Sequence, residues 1–129
     1  YARTYWVVFT EFWCGDAAQN LPILHLMAAA SPGIELRLLF RDEHPEAFGR
    51  YLTNGSRSIP RLVAINAESG EEQYTWGPRP AVAQQMMLDY KAGKGPDTYE
   101  AFGEQLHKWY AENRGKDLQN EFLELLGKI

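Results

Sequence analysis

Five consecutive aromatic and β-branched residues, Tyr5-Trp6-Val7-Val8-Phe9, leave this chain few ways to fold. A strand without polar alternation needs cover on both faces, so it belongs inside a sheet with other layers against it. The period then changes. From Gly15 to about Ser31, Leu21, Leu24 and Ala28 recur at helical spacing, and Ser31-Pro32-Gly33 ends the run. A second strand is predicted at Ile34–Phe40, where partial alternation implies less complete burial. A short helix is predicted over 44–53, with Pro45 in its first turn and Phe48 and Leu52 on one face, followed by a turn at Asn54-Gly55-Ser56. Arg61–Ile65 and Glu72–Trp76 read as paired strands around Ser69-Gly70, and Pro80 opens a helix to about Ala92. Beyond Gly93, Gly95 and Pro96, Phe102, Leu106, Trp109 and Tyr110 predict a helix at about 98–113. Leu118, Phe122 and Leu125 predict another at about 117–127.

A strand-helix-strand opening followed by a hairpin and a helix favours an α/β layer structure with a mixed sheet. At 129 residues the chain is read as one domain. The last 30 or so residues are too few for an independent core, so the terminal helices are read as an extension of it. The net charge of −4 and the lack of a long basic run argue against nucleic acid or an anionic membrane surface as partner. No apolar run is long enough to span a bilayer, and the expected location is the cytoplasm. The first residue is Tyr1, without an initiator Met or a leader pattern, so the sequence is expected to be part of a longer chain. A single cysteine excludes an internal disulfide and a thiolate-rich metal cage, and permits one reactive thiol.

That cysteine lies in Phe12-Trp13-Cys14-Gly15-Asp16, between the first strand and the first helix. A sulfur at a helix start lies close to the free N–H groups of the first turn, which favour thiolate over thiol. Gly15 lets the chain turn closely and Trp13 can cover one side of the sulfur. Asp16 suits the helix start as a charge, yet opposes a nearby thiolate. The competing account is that Cys14 is a small buried residue with no reactivity.

Two other clusters stand out. Glu11 ends the first strand, and Arg41-Asp42, followed by Glu43, ends the second; parallel neighbours would bring both ends to one sheet edge, where sites form in open α/β sheets. This cluster either tunes Cys14 and recognises a polar ligand, or is a surface ion-pair network. In Trp76-Gly77-Pro78-Arg79-Pro80, the prolines fix the chain and Arg79 either reaches the Cys14 groove or belongs to an ordered turn. His25, His44 and His107 are scattered and read as structural, and no His/Cys/carboxylate spacing suggests a metal or a resident cofactor. Met86-Met87 and Trp109-Tyr110 read as core or as an interface.

Trp13-Cys14-Gly15-Asp16-Ala17 resembles the WCGxC active site of the thioredoxin superfamily. The likeness extends over about residues 5–92. Pro22 matches the kinking proline of the active-site helix, Ser58-Ile59-Pro60-Arg61 the cis-proline segment, and Gly77 the glycine bordering the substrate groove. Glu11 to Asn20, Arg41-Asp42, Tyr51 to Gly55, Trp76 to Pro80 and His107 to Tyr110 are similar to a narrower bacterial branch with WCGDA in place of WCGxC. Its members usually carry a further N-terminal helical segment. The resemblance implies a thioredoxin-like three-layer fold: a central mixed β-sheet flanked by helices, core about 5–92, with C-terminal helices at about 98–127. It also implies a cis Pro60, Cys14 as the catalytic thiol, and Trp13, Gly15, Asp16, Ile59, Pro60 and Gly77 around it.

Two departures change the chemistry. Ala17 stands in place of the resolving cysteine, and Val8 in place of the buried carboxylate that assists proton transfer. Ordinary dithiol turnover is therefore excluded, because no second thiol attacks the mixed disulfide. Two readings follow. One is a monothiol thiol-disulfide oxidoreductase that acts on a protein or peptide thiol partner, with an external low-molecular-weight thiol as co-substrate. The other is a catalytically inactive module that binds a peptide or protein along the Pro60 edge. The oligomeric state is left open.

Overall fold

The computed structural model describes residues 3–11, 14–50 and 58–127. Trp13, the Asn54-Gly55-Ser56 turn and the last part of the helix expected over 44–53 lie outside them. The elements run β1 (Thr4–Thr10), α1 (Gly15–Ala30), β2 (Ile34–Phe40), a 3-10 turn (Arg41–Glu43), α2 (Pro45–Phe48), β3 (Arg61–Asn66) and β4 (Glu72–Trp76). They continue with α3 (Ala81–Lys91), α4 (Tyr99–Asn113) and α5 (Lys116–Leu126). The described strands form a mixed sheet in the order β2-β1-β3-β4. The fold is α/β, with helices accompanying the sheet and a helical C-terminal extension. The residues divide into two compact units between Pro78 and Arg79, and α3 groups with the terminal helices.

In the first unit, β1 takes the interior position that its composition requires. It runs parallel to β2 from Thr4↔Ile34 to Thr10↔Phe40, and antiparallel to β3 with Val7 opposite Val63 and Phe9 opposite Arg61. A parallel pair needs a long crossover, which α1 supplies. Trp6 and Val8 are buried on one face and Phe9 on the other. Phe9 packs with Phe48, Ile59 and Val63, its ring meeting Phe48 edge-on at 5.3 Å. The buried stripe of α1 is Ala17, Asn20, Leu24 and Ala28. It passes through Asn20 where Leu21 was expected; the buried amide is satisfied locally, its Nδ2 donating to Asp16 O at 2.9 Å. Between β2 and α2 the chain winds first into the 3-10 turn at 41–43, and α2 proper begins at Pro45.

Small Ala64 lies between Trp6 on β1 and Tyr74 on β4. Across it, Trp6 Nε1 donates to Tyr74 Oη at 2.8 Å. Burial raises the Tyr74 phenol above its ordinary value of 10.0, and the Trp6 bond acts in the opposite direction. The unfolded chain therefore ionises this group first. Its stabilising share is fully present below pH 10.0 and is lost as pH rises through the higher folded value. Tyr74→Phe is expected to cost about 1 kcal/mol at neutral pH through the lost hydrogen bond. It should also remove this part of the alkaline decline. Urea denaturation from neutral pH to pH 11 checks both.

The second unit has its own apolar cluster. Ala83, Phe102, Leu106 and Tyr110 are buried, with Met86, Met87, Tyr90 and Trp109 packed on them. The methionine and aromatic pairs thus belong to a core. Tyr90 and Phe102 stack at 4.6 Å between ring centroids. Thr98 caps α4, its Oγ1 accepting from Ala101 N at 3.1 Å. Arg114 ends that helix in the left-handed region, and Asn113 and Asp117 exchange hydrogen bonds across the turn into α5.

Candidate functional site

The antiparallel register that sets Phe9 opposite Arg61 brings the chain leaving β1 beside the chain entering β3. Cys14 and Ile59-Pro60 meet as a result. Cys14 is the N-cap residue of α1, with extended backbone and no side-chain bond to its own helix. Cys14 N donates to Glu11 O at 3.3 Å, and Cys14 O accepts from Ala18 N at 3.1 Å to start the helix. The sulfur turns toward the neighbouring loop instead. Its thiol donates to Ile59 O at 3.4 Å, on the residue that forms a cis peptide bond with Pro60. Cys14 is partly exposed and also packs on the Phe9, Phe48, Ile59 and Val63 cluster. The Cys14 side chain therefore has an apolar flank, and the residue as a whole is partly exposed.

The surroundings are close-packed. Gly15 begins α1 and is exposed, Asp16 is partly buried in the first turn, and Ala17 is buried with 2% of its surface exposed. Val8 is wholly buried. Ile59 and Pro60 are buried, and Gly77 lies directly against the Pro60 carbonyl. Gly77 has φ +122°, and a Cβ built there would run into Pro60 O. Only glycine combines this conformation with this approach.

Arg61 is the residue that sequence reasoning passed over. It follows Pro60, its Nη1 donates to Gly77 O, and its Nη2 donates to Thr75 Oγ1 at 3.1 Å. It therefore ties the segment after β4 to the entry of β3. Its Nε is buried without a hydrogen-bond partner among the described residues, and burial lowers the guanidinium below its ordinary value. The only signal in the sequence was an arginine directly after the proline of the expected loop.

Glu11, Arg41 and Asp42 come together at the ends of β1 and β2. Glu11 is buried, and its Oε1 accepts from Asp42 N at 3.0 Å, while Arg41 Nε pairs with Asp42 Oδ1 at 3.0 Å. The Glu11 carboxylate thus serves the backbone of the 3-10 turn, which supports the structural account of this cluster. Arg79 lies in the second unit, with Nη1 donating to Gln84 Oε1 at 2.6 Å. His25 on α1, His44 between the 3-10 turn and α2, and His107 on α4 are all exposed. Among the described residues no group of His, Cys, Asp or Glu is arranged to hold a metal ion, and no helix is long and apolar enough to cross a membrane. An open depression lined by residues 43–47 includes neither Cys14 nor Pro60.

The profile of the family described as Thioredoxin matches residues 2–94. No curated protein matches the sequence. Among solved structures, a protein of unknown function from Pseudomonas aeruginosa is similar at 21% identity and TM-score 0.55, over 89% of this chain and 68% of that one. The thioredoxin of Fasciola hepatica is similar at 21% identity and TM-score 0.50, over 69% and 81% of the two chains. The NTD_N/C domain of the alkylhydroperoxide reductase AhpF from Enterococcus faecalis is similar at 17% identity and TM-score 0.52, over 77% and 49%. At these identities the likeness is one of fold.

Proposed function

The chain belongs to the thioredoxin family, and from that premise we propose that it is a monothiol thiol-disulfide exchange protein with Cys14 as the attacking thiol. The observation that carries this reading is the position of Cys14, a partly exposed residue at a helix start whose sulfur lies 3.4 Å from the carbonyl preceding Pro60. In this reading the Cys14 thiolate attacks one sulfur of a mixed disulfide between a protein and a small thiol. A Cys14–small-thiol disulfide forms and the protein leaves as its thiolate. A second molecule of the small thiol, as thiolate, then attacks that disulfide. It returns Cys14 as thiolate and leaves as the oxidised small-molecule dimer. The external thiol is required because Ala17 offers no sulfur. A cytoplasmic location, bacterial in view of the WCGDA resemblance, would supply such a thiol pool.

Gly15 and Asp16 follow the attacking residue in the first turn of α1, and in this proposal the Ile59-Pro60 edge with Gly77 receives the peptide next to the disulfide. The test is turnover of a glutathionylated peptide, with glutathione as the external thiol and glutathione disulfide as the readout. The expected result is catalysed turnover, with a transient Cys14–glutathione adduct detected by mass spectrometry. An intact, folded chain that shows neither adduct nor turnover would overturn the enzymatic reading. The binding-module reading would then rest on the buried Ala17 and the close-packed Pro60 loop.

A further inference from the structure

Among the described residues β2 is an edge strand, paired only with β1. Thr4 N donates to Gly33 O at 2.7 Å in the register Thr4↔Ile34. In a parallel ladder this directs the peptide groups of Glu35, Arg37 and Leu39 toward β1, and those of Leu36, Leu38 and Phe40 outward. Leu38 and Phe40 are also 53% and 46% exposed as side chains, although their β1 partners Val8 and Thr10 are buried. On the other face, Glu35 and Arg37 form an exposed ion pair at 2.7 Å. A seven-residue strand whose outward peptide groups at Leu36, Leu38 and Phe40 have no backbone partner among the described residues, and whose apolar side chains are exposed, is a template for another strand.

The order of side chains along β2 selects its partner. An antiparallel copy of β2 engages the outward peptide groups only where even-numbered residues face even-numbered ones. With the two strands fully overlapped, Arg37 faces Arg37 of the second copy, which is repulsive. Moved by two residues, so that Leu36 faces Leu36, Glu35 faces Arg37 twice and Ile34 faces Leu38 twice. A further step in the same sense sets Glu35 against Glu35, and a step in the opposite sense sets Arg37 against Leu39. One register alone is complementary in both charge and apolar contact within the strand. In it the charged residues occupy the non-hydrogen-bonded pairs, where cross-strand side chains come closest.

We propose that β2 is the interface of a homodimer, with two β2 strands paired antiparallel and Leu36 on the two-fold axis. The eight-stranded continuous sheet that results covers the exposed Leu38 and leaves each Cys14 on its own protomer. This inference does not depend on thiol chemistry.

Sedimentation velocity of the 129-residue chain, over micromolar to sub-millimolar concentrations, tests it. The parent chain is expected to show a concentration-dependent dimer. Arg37→Glu and Glu35→Arg each make both close pairs like-charged, and each should weaken association about tenfold or more. An equimolar mixture of the two variants restores opposite charges in every pair, so it should form a heterodimer although neither variant self-associates. Leu38→Lys leaves both original charges in place and should also weaken the dimer. Far-UV circular dichroism identifies any variant that has not folded, and the remaining variants then carry the test. A parent chain that stays monomeric throughout overturns the proposal. So does a dimer indifferent to the folded variants, or a mixture that associates no better than its components.

Discussion

Cys14→Ser is expected to reduce turnover of a glutathionylated peptide to the uncatalysed background while leaving stability within about 1 kcal/mol of the parent chain. A serine hydroxyl stays protonated near neutral pH and does not displace a thiolate from a disulfide, so the whole exchange rate should disappear. The fold should tolerate the change for a local reason. Cys14 occupies the N-cap of α1 without capping it, and its one described side-chain bond is the weak thiol contact with Ile59 O. Serine is among the preferred N-cap residues, and its hydroxyl can accept from a first-turn N–H that the sulfur leaves unused. Glutathione disulfide production and a urea denaturation midpoint, measured on the same preparation, separate the two effects. Retained turnover in Cys14→Ser would remove Cys14 from the mechanism. Loss of turnover together with several kcal/mol of stability would mean that the residue is structural.

Gly77→Ala should have the largest effect on stability, a loss of about 3–5 kcal/mol, enough to unfold a marginally stable chain. Two penalties fall on one atom. At φ +122° an alanine is strained wherever it sits, and here its Cβ would also point into the Pro60 carbonyl. The obstacle is backbone at the entry of β3, held where Arg61 bonds back to Gly77 O, so a rotamer change relieves nothing. The variant is expected to show a much lower urea midpoint, and, where it folds, slower exchange because the loop beside Cys14 has moved. A stability loss below about 1 kcal/mol would mean that the loop yields easily and that the Cys14 groove is not rigid.

Much of the fold could be read directly from residue patterns. The strands at Ile34–Phe40 and Glu72–Trp76 have the expected bounds, and the terminal helices at 99–113 and 116–126 fall within a residue or so of them. In each case the apolar period spans the whole element, so the local signal is complete. Shorter or mixed signals were less clear. Phe48 and Leu52 suggested one helix over 44–53, of which the described residues show α2 at Pro45–Phe48, and no pattern announced the 3-10 turn at Arg41–Glu43 before it, where Glu11 accepts the amide of Asp42. That hydrogen bond joins residues 31 positions apart, and no window around residue 42 contains its partner. The buried stripe of α1 shows the same limit. Period alone favoured Leu21, but the rotation of the helix was set by what it packs on, and it buried Asn20.

For the site, sequence by itself determined the chemical inventory. One thiol lies at a strand-to-helix junction, alanine stands three residues later, and no second cysteine exists anywhere to resolve a mixed disulfide. Those facts limit the reactions open to the chain before any coordinate is known. Tertiary structure decided which groups the thiol meets. The contact between Cys14 and Ile59 spans 45 residues and follows from the register of β1 against β3. The role of Arg61 follows from the return of β4 alongside β3, which delivers Gly77 and Thr75 to its guanidinium. Side-chain period specifies the face of an element because neighbouring residues share one backbone. Contacts between distant segments depend on register and on the approach of two separate backbones, which are properties of the assembled sheet.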